Sequence, residues 1–319
     1  MTVPLKYGRV TRYQPNSDQL RRCSFEVVGL NGHSTGCLLF SSFEEFNKWF
    51  SVVHSNIRQL MELEVSRFNE RIGTDFPPKT EPLLYMGWLG LTLHDSPQLS
   101  RLWQDVFLAL RGDDLMLFEV PPIFLDDWKS ASVKEKVYKC VIRVLDDEEL
   151  LDKRLNAFFL HCGSAHTFYM SAETVGDVSR LERCWFRATS NSLAKKSAVG
   201  SPVLFKVSHN GQEGQLVFDL DKGISFAVGQ QCLWTYRFAC LKRSYDDRDR
   251  KLFLHFQDPG SSTSLLTDAA TTSSTADGCV SGVAIVKEVE VPDLQLLLIV
   301  LHSFLSSKLT AVDPQFLKP

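Results

Sequence analysis

Three constellations in the chain combine residue types and spacings that could support chemistry. Gly32, Ser34 and Gly36 form G-x-S-x-G, the pattern that lifts a nucleophilic serine onto a sharp turn between a strand and a helix. That geometry needs a helix directly after the serine. Here Thr35 to Phe40 reads as a further strand, and Asn31-Gly32 is a strong hairpin signal because both residues tolerate positive φ. The stretch is expected to be a turn. Asp219-Leu220-Asp221-Lys222-Gly223 resembles the start of a calcium loop. It lacks the third carboxylate and the glutamate beyond the glycine, so it is expected to join two strands. His161, Cys162 and His166 are metal-ligand types, but Cys162 and His166 flank a hairpin turn and no further ligand pair accompanies them. Neither a P-loop nor G-x-G-x-x-G is present. No catalytic, cofactor-binding or metal-ligating residue is expected.

Charge and composition narrow the remaining classes. The 319 residues carry a net charge of −3, which supplies no bulk attraction to nucleic acid or anionic membranes. Basic residues occur in short groups: Arg9 with Arg12, Arg21-Arg22, Lys134 with Lys136, Lys195-Lys196, and Lys242-Arg243 with Arg248, Arg250 and Lys251. Each is short and flanked by acidic or polar residues, whereas nucleic-acid binding wants a basic face with stacking aromatics, so solvated edges are expected. The eight cysteines stand singly, without a CxxC pair, as reduced thiols do in a cytosolic protein. The first residues lack the apolar core of a signal peptide, and the longest apolar run, Leu296 to Leu301, is too short to span a bilayer.

The elements that would position any site fall into three blocks. Leu84 to Pro121 reads as a three-stranded meander, with period-two alternation from Tyr85 and again from Trp103, and the turn Arg111-Gly112-Asp113-Asp114 between the last two strands. Such a meander needs partners to bury its apolar face. Strands are expected over 137–145, 156–162 and 166–171. A helix from Thr174 follows, with Val178, Leu181, Trp185 and Ala188 on one face. Before the meander lie strands at 5–13, 23–30 and 35–40. An amphipathic helix follows, capped by Ser41 or Ser42 and carrying Phe43, Phe46, Trp49, Phe50, Val53, Ile57 and Leu60. Residues 189–202 are expected to be a linker. The third block offers strands at 203–208, 215–220, 224–228, 233–241, 252–257 and 283–291, then a helix after Pro292. The Ser/Thr/Ala-rich stretch 259–279 is expected to be a mobile insertion.

Strands followed by one Trp-bearing helix, over 84–196, resemble a pleckstrin-homology (PH) domain. The combination is more specific. SSFEEFNKWFSVVHSNI, then YMGW with FLALRGDDLMLFEVPP, then LWTYRFACLKRSYDDRDRKLFLHF and LHSFLSSKL, resemble the syntrophins, and the gamma class in particular. The resemblance implies an α+β chain of PH-like sandwich domains, each closed by one C-terminal helix. Residues 1–75 would be the C-terminal half of a split PH domain, 76–83 a linker, 84–196 a second PH domain and 197–319 a syntrophin-unique α+β domain. The first half of the split PH domain and the PDZ domain would be missing, so PDZ ligands are not expected.

The family implies a non-catalytic adaptor without cofactors. Its partners would be dystrophin-family proteins (dystrophin, utrophin, dystrobrevin), and it would be cytoplasmic, tied to the actin cytoskeleton and peripheral to the membrane. The alternative is a PH-mediated lipid-recruitment module. The loop from Thr92 to Leu102 holds only Arg101 beside His94 and Asp95, so phosphoinositide binding is expected to be weak or absent. Trp234, Tyr236 and Phe238 share one face of the strand expected at 233–241, as partner anchors or as inward core. On the last helix Phe304 is expected in the core and His302 at a partly exposed edge. Residues 1–75 are expected to leave a strand edge and the face of Phe43, Phe46 and Trp49 poorly covered, and therefore to be weakly protected.

Overall fold

The computed structural model describes residues 2–93, 102–163, 166–257 and 284–312. The first block is a three-stranded antiparallel sheet, β1 (Arg9–Thr11), β2 (Ser24–Val28) and β3 (Ser34–Leu39), followed by α1 (Phe43–Glu70). Ser42 caps α1, its hydroxyl accepting the Glu45 amide at 3.1 Å, with Glu44 and Glu45 in the first turn where the helix end favours anions. Phe46, Phe50, Ile57 and Met61, at spacings of four and seven, form its buried stripe.

The second block is a seven-stranded antiparallel sheet: β4 (Leu83–Leu93), β5 (Gln104–Arg111), β6 (Asp114–Phe118), β7 (Val133–Lys136), β8 (Cys140–Val144), β9 (Ala157–Cys162) and β10 (His166–Ser171). Its order is β7-β6-β5-β4-β10-β9-β8, four strands then three, joined through the long β4. The sheet folds over one core, with Leu108, Leu117, Leu160 and Met170 inside, and α2 (Val175–Ala198) seals it with Val178, Leu181, Trp185 and Ala188. This is the architecture that the PH resemblance implies.

The third block repeats that order. Strands β11 (Val203–His209), β12 (Gln212–Asp219), β13 (Gly223–Val228), β14 (Gln231–Tyr236), β15 (Leu241–Asp246), β16 (Lys251–Gln257) and β17 (Ala284–Glu290) run β14-β13-β12-β11-β17-β16-β15. They are followed by α3 (Leu294–Val312). The chain therefore ends in an α+β unit of the same topology as its neighbour. Two compact units emerge, one made chiefly of the chain up to Leu193 and the other Ala194–Lys308.

Several expectations need correction. The linker expected from 189 is still helix: α2 runs to Ala198 with Thr189, Ser192 and Leu193 buried. It stops where Gly200 takes φ +63° and the Ser201 amide returns to the Lys196 carbonyl, a Schellman closure. The strand expected over 137–145 begins as a 3-10 turn at Val137–Lys139, and the strand before it, β7, was masked by its charged sequence VKEK. The run 233–241 is not one strand. It ends at Tyr236, and a 3-10 turn at Phe238–Cys240 hands the chain to β15. Phe238 therefore does not share a strand face with Trp234 and Tyr236. Of the face expected to be poorly covered, Phe43 and Trp49 are more than half exposed, but Phe46 is buried. The loop residues His94, Asp95 and Arg101 and the insertion 259–279 lie outside the described residues.

Coverage of the first block is the largest revision. Met61 of α1 and Tyr7 pack with Met86, Phe107, Ala109, Met116 and Phe118 on the outward face of β4, β5 and β6. The first block is thus docked on the second sheet by an apolar face. Its own far edge remains open: Leu39, Phe43 and Trp49 are all more than half exposed.

Candidate functional site

The constellations that opened the sequence reading are turns. Ser34 starts β3, and its hydroxyl donates to the Glu26 carboxylate across the hairpin, so a strand and not a helix directly follows the serine. The Asp219 carboxylate accepts the amides of Asp221 and Lys222 at 2.9 and 3.0 Å. Gly223 beside it has φ +100°, and a Cβ there would collide with the Tyr236 carbonyl. His161 pairs with Thr167 at 3.0 Å, while Cys162 sits buried opposite Cys140 on the ladder. Their mutual hydrogen bond, and then burial, push the Cys140 thiol well up, which keeps it inert. Among the described residues no group of three metal-ligating side chains converges.

The expected partner-binding residues divide. Phe304 is buried and packs on Phe218 and Phe238 with ring centroids 5.6 and 5.5 Å apart. Phe238, also buried, is therefore a core residue. His302 lies one face away, exposed, with its carbonyl accepting the Ser306 hydroxyl at 2.8 Å. Partial desolvation of this exposed side chain's imidazole holds its pKa below the ordinary value. Trp234 and Tyr236 are half-buried at one end of the third sheet. Trp234 meets His209, Phe226 and Phe256 within 6.1 Å, and Tyr236 stacks on Phe256 at 4.3 Å. The Trp234 indole N–H is enclosed without an acceptor among the described residues. An enclosed indole among aromatic rings is an inward residue at a rim.

Sequence reasoning missed the outward face of β15, β16 and β17. There Tyr245 is 42% exposed and stacks on Phe253, 4.7 Å between centroids, and Val286 is 47% exposed. The signal was the alternation in KLFLHFQ: Leu252, Leu254 and Phe256 go inward, which puts Phe253 and His255 outward.

A second assembly, also missed, is the polar seam where the first block meets the second sheet. Arg9 pairs with Asp105 at 2.8 Å, Arg12 with Glu173 at 3.1 Å, and His54 with Asp177 at 2.8 Å. The Trp88 indole donates to the Tyr7 carbonyl at 2.9 Å, and Arg154 donates twice to the Ser17 carbonyl. Burial, the largest influence on Glu173, raises its carboxyl above the ordinary range despite Arg12. Burial also works against the Asp177 carboxylate, but His54 and Thr174 outweigh it and hold it below that range. No short sequence pattern brings Arg9, His54 and Glu173 together, so only the fold reveals the seam.

Comparisons with known proteins show what the chain is similar to. A family model described as the syntrophin C-terminal PH domain matches residues 198–272. Gamma-1-syntrophin of Homo sapiens is 28% identical over 320 residues, covering 99% of this chain and 56% of that protein. Gamma-2-syntrophin of Homo sapiens is 28% identical over 343 residues, covering 99% and 57%. Syntrophin-1 of Caenorhabditis elegans is 23% identical, covering 81% and 58%. The chain spans a little over half the length of these curated relatives. Among solved structures, the PH domain of human pleckstrin homology domain-containing protein family A member 5 is 17% identical and covers 35% of this chain and 80% of that one. Its TM-score of 0.28 is too low to carry an argument.

Proposed function

We propose, for a chain that is gamma-syntrophin-like along 99% of its length, that it works as a non-catalytic adaptor. In this reading it joins dystrophin-family complexes and the actin cytoskeleton to signalling or membrane proteins, from the cytoplasmic side of a membrane to which it is peripheral. Among the described residues no helix is long and apolar enough to cross a membrane. The likeness to the gamma-syntrophins carries the reading. On it, the first block corresponds to the C-terminal half of a split PH domain and the second to a PH domain. The third corresponds to the unit that engages the partner.

The outward face around Tyr245, Phe253 and Val286 is the better candidate for that contact than Trp234. It is exposed aromatic and aliphatic surface on strands that are themselves firmly placed. The test is calorimetric titration of the purified chain with a purified dystrophin-family C-terminal region. Saturable binding that Tyr245→Ala and Val286→Asp weaken at least about tenfold, with unchanged melting, supports the adaptor. Absence of binding to any dystrophin-family protein, with sedimentation on phosphoinositide vesicles instead, would favour the lipid-recruitment alternative.

A further inference from the structure

We propose that the seam between the first block and the second sheet holds a binding site for a small oxyanion of the phosphate or carboxylate class. A cavity of about 80 Å³ opens there, lined by Arg9, Arg58, Arg154, Arg180, Ser171 and Gly90 among others. One enclosed water needs roughly 10–15 Å³ on the same measure, so a polyatomic group fits. The cavity lies within one compact unit, and both blocks contribute to its wall.

The donors converge on one point. Ser171 stands directly opposite Gly90 on the β10–β4 ladder. A Cβ added at Gly90 would lie 3.1 Å from the Ser171 hydroxyl and 3.1 Å from Arg154 Nη1, with a Trp103 ring carbon at 3.1 Å. The missing side chain therefore keeps open the space on which a hydroxyl and a guanidinium nitrogen both border. Ser171 is 2% exposed, and its hydroxyl has no partner among the described residues. Buried hydroxyls ordinarily have one, so an orphan that borders a cavity points to a group the cavity takes up.

Arg154 is built to present a nitrogen rather than to pair internally. It is 6% exposed, and its Nε and Nη2 are spent on the Ser17 carbonyl at 3.1 and 2.9 Å. Its plane is held over Tyr13 and Trp103, at 4.0 and 4.5 Å from their centroids. Among the described residues that leaves Nη1 without a hydrogen bond and places no carboxylate within ion-pair distance of this buried cation. Arg58, on the α1 side, likewise makes no ion pair among the described residues, and Arg9 Nε is enclosed without an acceptor. The acids on the wall are already engaged: Asp105 by Arg9, Glu173 by Arg12 and Asp177 by His54. The unmet demand in the cavity is for an acceptor carrying negative charge. Arg9 and Arg58 come from the first block, and Arg154 and Ser171 from the second, so such an anion would also clamp the two together.

The same chemistry could reach the site as a free anion or as a lipid headgroup. The experiment titrates the whole chain with inorganic phosphate at constant ionic strength, reading heat and melting temperature, and in parallel sediments it with phosphoinositide-containing vesicles. The expected result is saturable phosphate binding with a melting temperature that climbs with the logarithm of concentration. Ser171→Ala removes an unsatisfied buried hydroxyl, so it should fold as well as the parent while weakening binding about tenfold or more. Gly90→Ala, which fills the cradle, should abolish binding. Vesicle binding that is lost in both variants would support the same site with the headgroup as the source. Absence of saturable phosphate binding together with vesicle binding indifferent to both substitutions would overturn the proposal, as would phosphate binding that neither variant changes.

Discussion

Strands β5 and β6 of the second block are buried on both faces, whereas β16 of the third buries every other residue. The two sheets share one strand order. In β5, inward Leu108 and Leu110 and outward Phe107 and Ala109 are all 0% exposed; in β16, Leu252 and Leu254 are 0% exposed while Phe253 and His255 stay half-open. The difference lies in what covers the outer face: α1 and Tyr7 lie over Phe107, Met116 and Phe118. A doubly buried strand reads as a continuous apolar run, and a singly buried one alternates. FLALRGDDLMLF and KLFLHFQ are those two readings. One topology thus serves as a sheet clad by another segment and, among the described residues, as a sheet whose outer face is half-open.

The sharpest way to break this comparison is to truncate one outward residue in each of these strands. Phe107→Ala should cost about 3–5 kcal/mol in urea unfolding, as deletion of a fully packed aromatic does. Phe253→Ala, outward in the third sheet, should cost about 1 kcal/mol or less. Similar losses at both positions would mean that α1 does not cover the second sheet in solution.

Trp234→Ala tests the rim of the third sheet. Half-buried among His209, Phe226 and Phe256, it should cost about 2–3 kcal/mol of stability, somewhat less than a fully buried Trp. Partner binding should fall only as far as unfolding explains. A variant with parental melting and more than about tenfold weaker binding would return Trp234 to the role of anchor.

The cover itself should be graded along α1. Met61 packs on the second sheet, whereas Phe46 and Phe50 pack within the small first block and Phe43, Trp49 and Val52 beside them are at least half exposed. Amide exchange should therefore be slowest around 57–68 and at least about tenfold faster around 45–52, about 1.4 kcal/mol in opening free energy. Uniform fast exchange along the helix would restore the expectation of a weakly protected first block.

Much of this was legible in the sequence, for identifiable reasons. Helix caps, hairpin glycines and period-two alternation are local signals, so Ser42, Gly32 and the runs at 103–110 and 252–257 announced their elements. What local pattern could not carry was pairing over distance. VKEK has no strand signature, yet it pairs with β6 through Lys134 and Lys136, which reach Asp114 at 3.3 and 2.7 Å. The aromatic run at 233–241 looked like one strand because Phe238 keeps the alternation while the backbone turns. The seam was invisible because Arg12 and Glu173 stand 161 positions apart. Docking of the first block on the second sheet was nonetheless written in FLAL and LMLF, whose outward residues had to be covered by something.

The finest test of the seam is its pH dependence. Burial raises the Glu173 carboxyl, so the folded protein holds that proton more tightly than the unfolded chain does. The contribution of Glu173 is therefore full below its unfolded pKa and is lost as pH rises through the folded value. Asp177 has the opposite sign: its lowered carboxyl contributes fully above the unfolded pKa and loses that contribution as pH falls through the folded one. The acid limb of the stability curve should accordingly belong to Asp177, and the decline from the ordinary carboxylate range upward to Glu173. Glu173→Gln keeps an acceptor for Arg12, whose other bond goes to the Glu173 backbone carbonyl and survives the change. The variant should match the parent in mild acid and exceed it progressively toward neutrality, by about 1 kcal/mol or less for a partly solvent-reached pair. Urea unfolding at a series of pH values measures the gap. Parallel curves would show that the carboxylate is fully stabilised by Arg12, and that the seam is held as an ordinary ion pair with no proton taken up on docking.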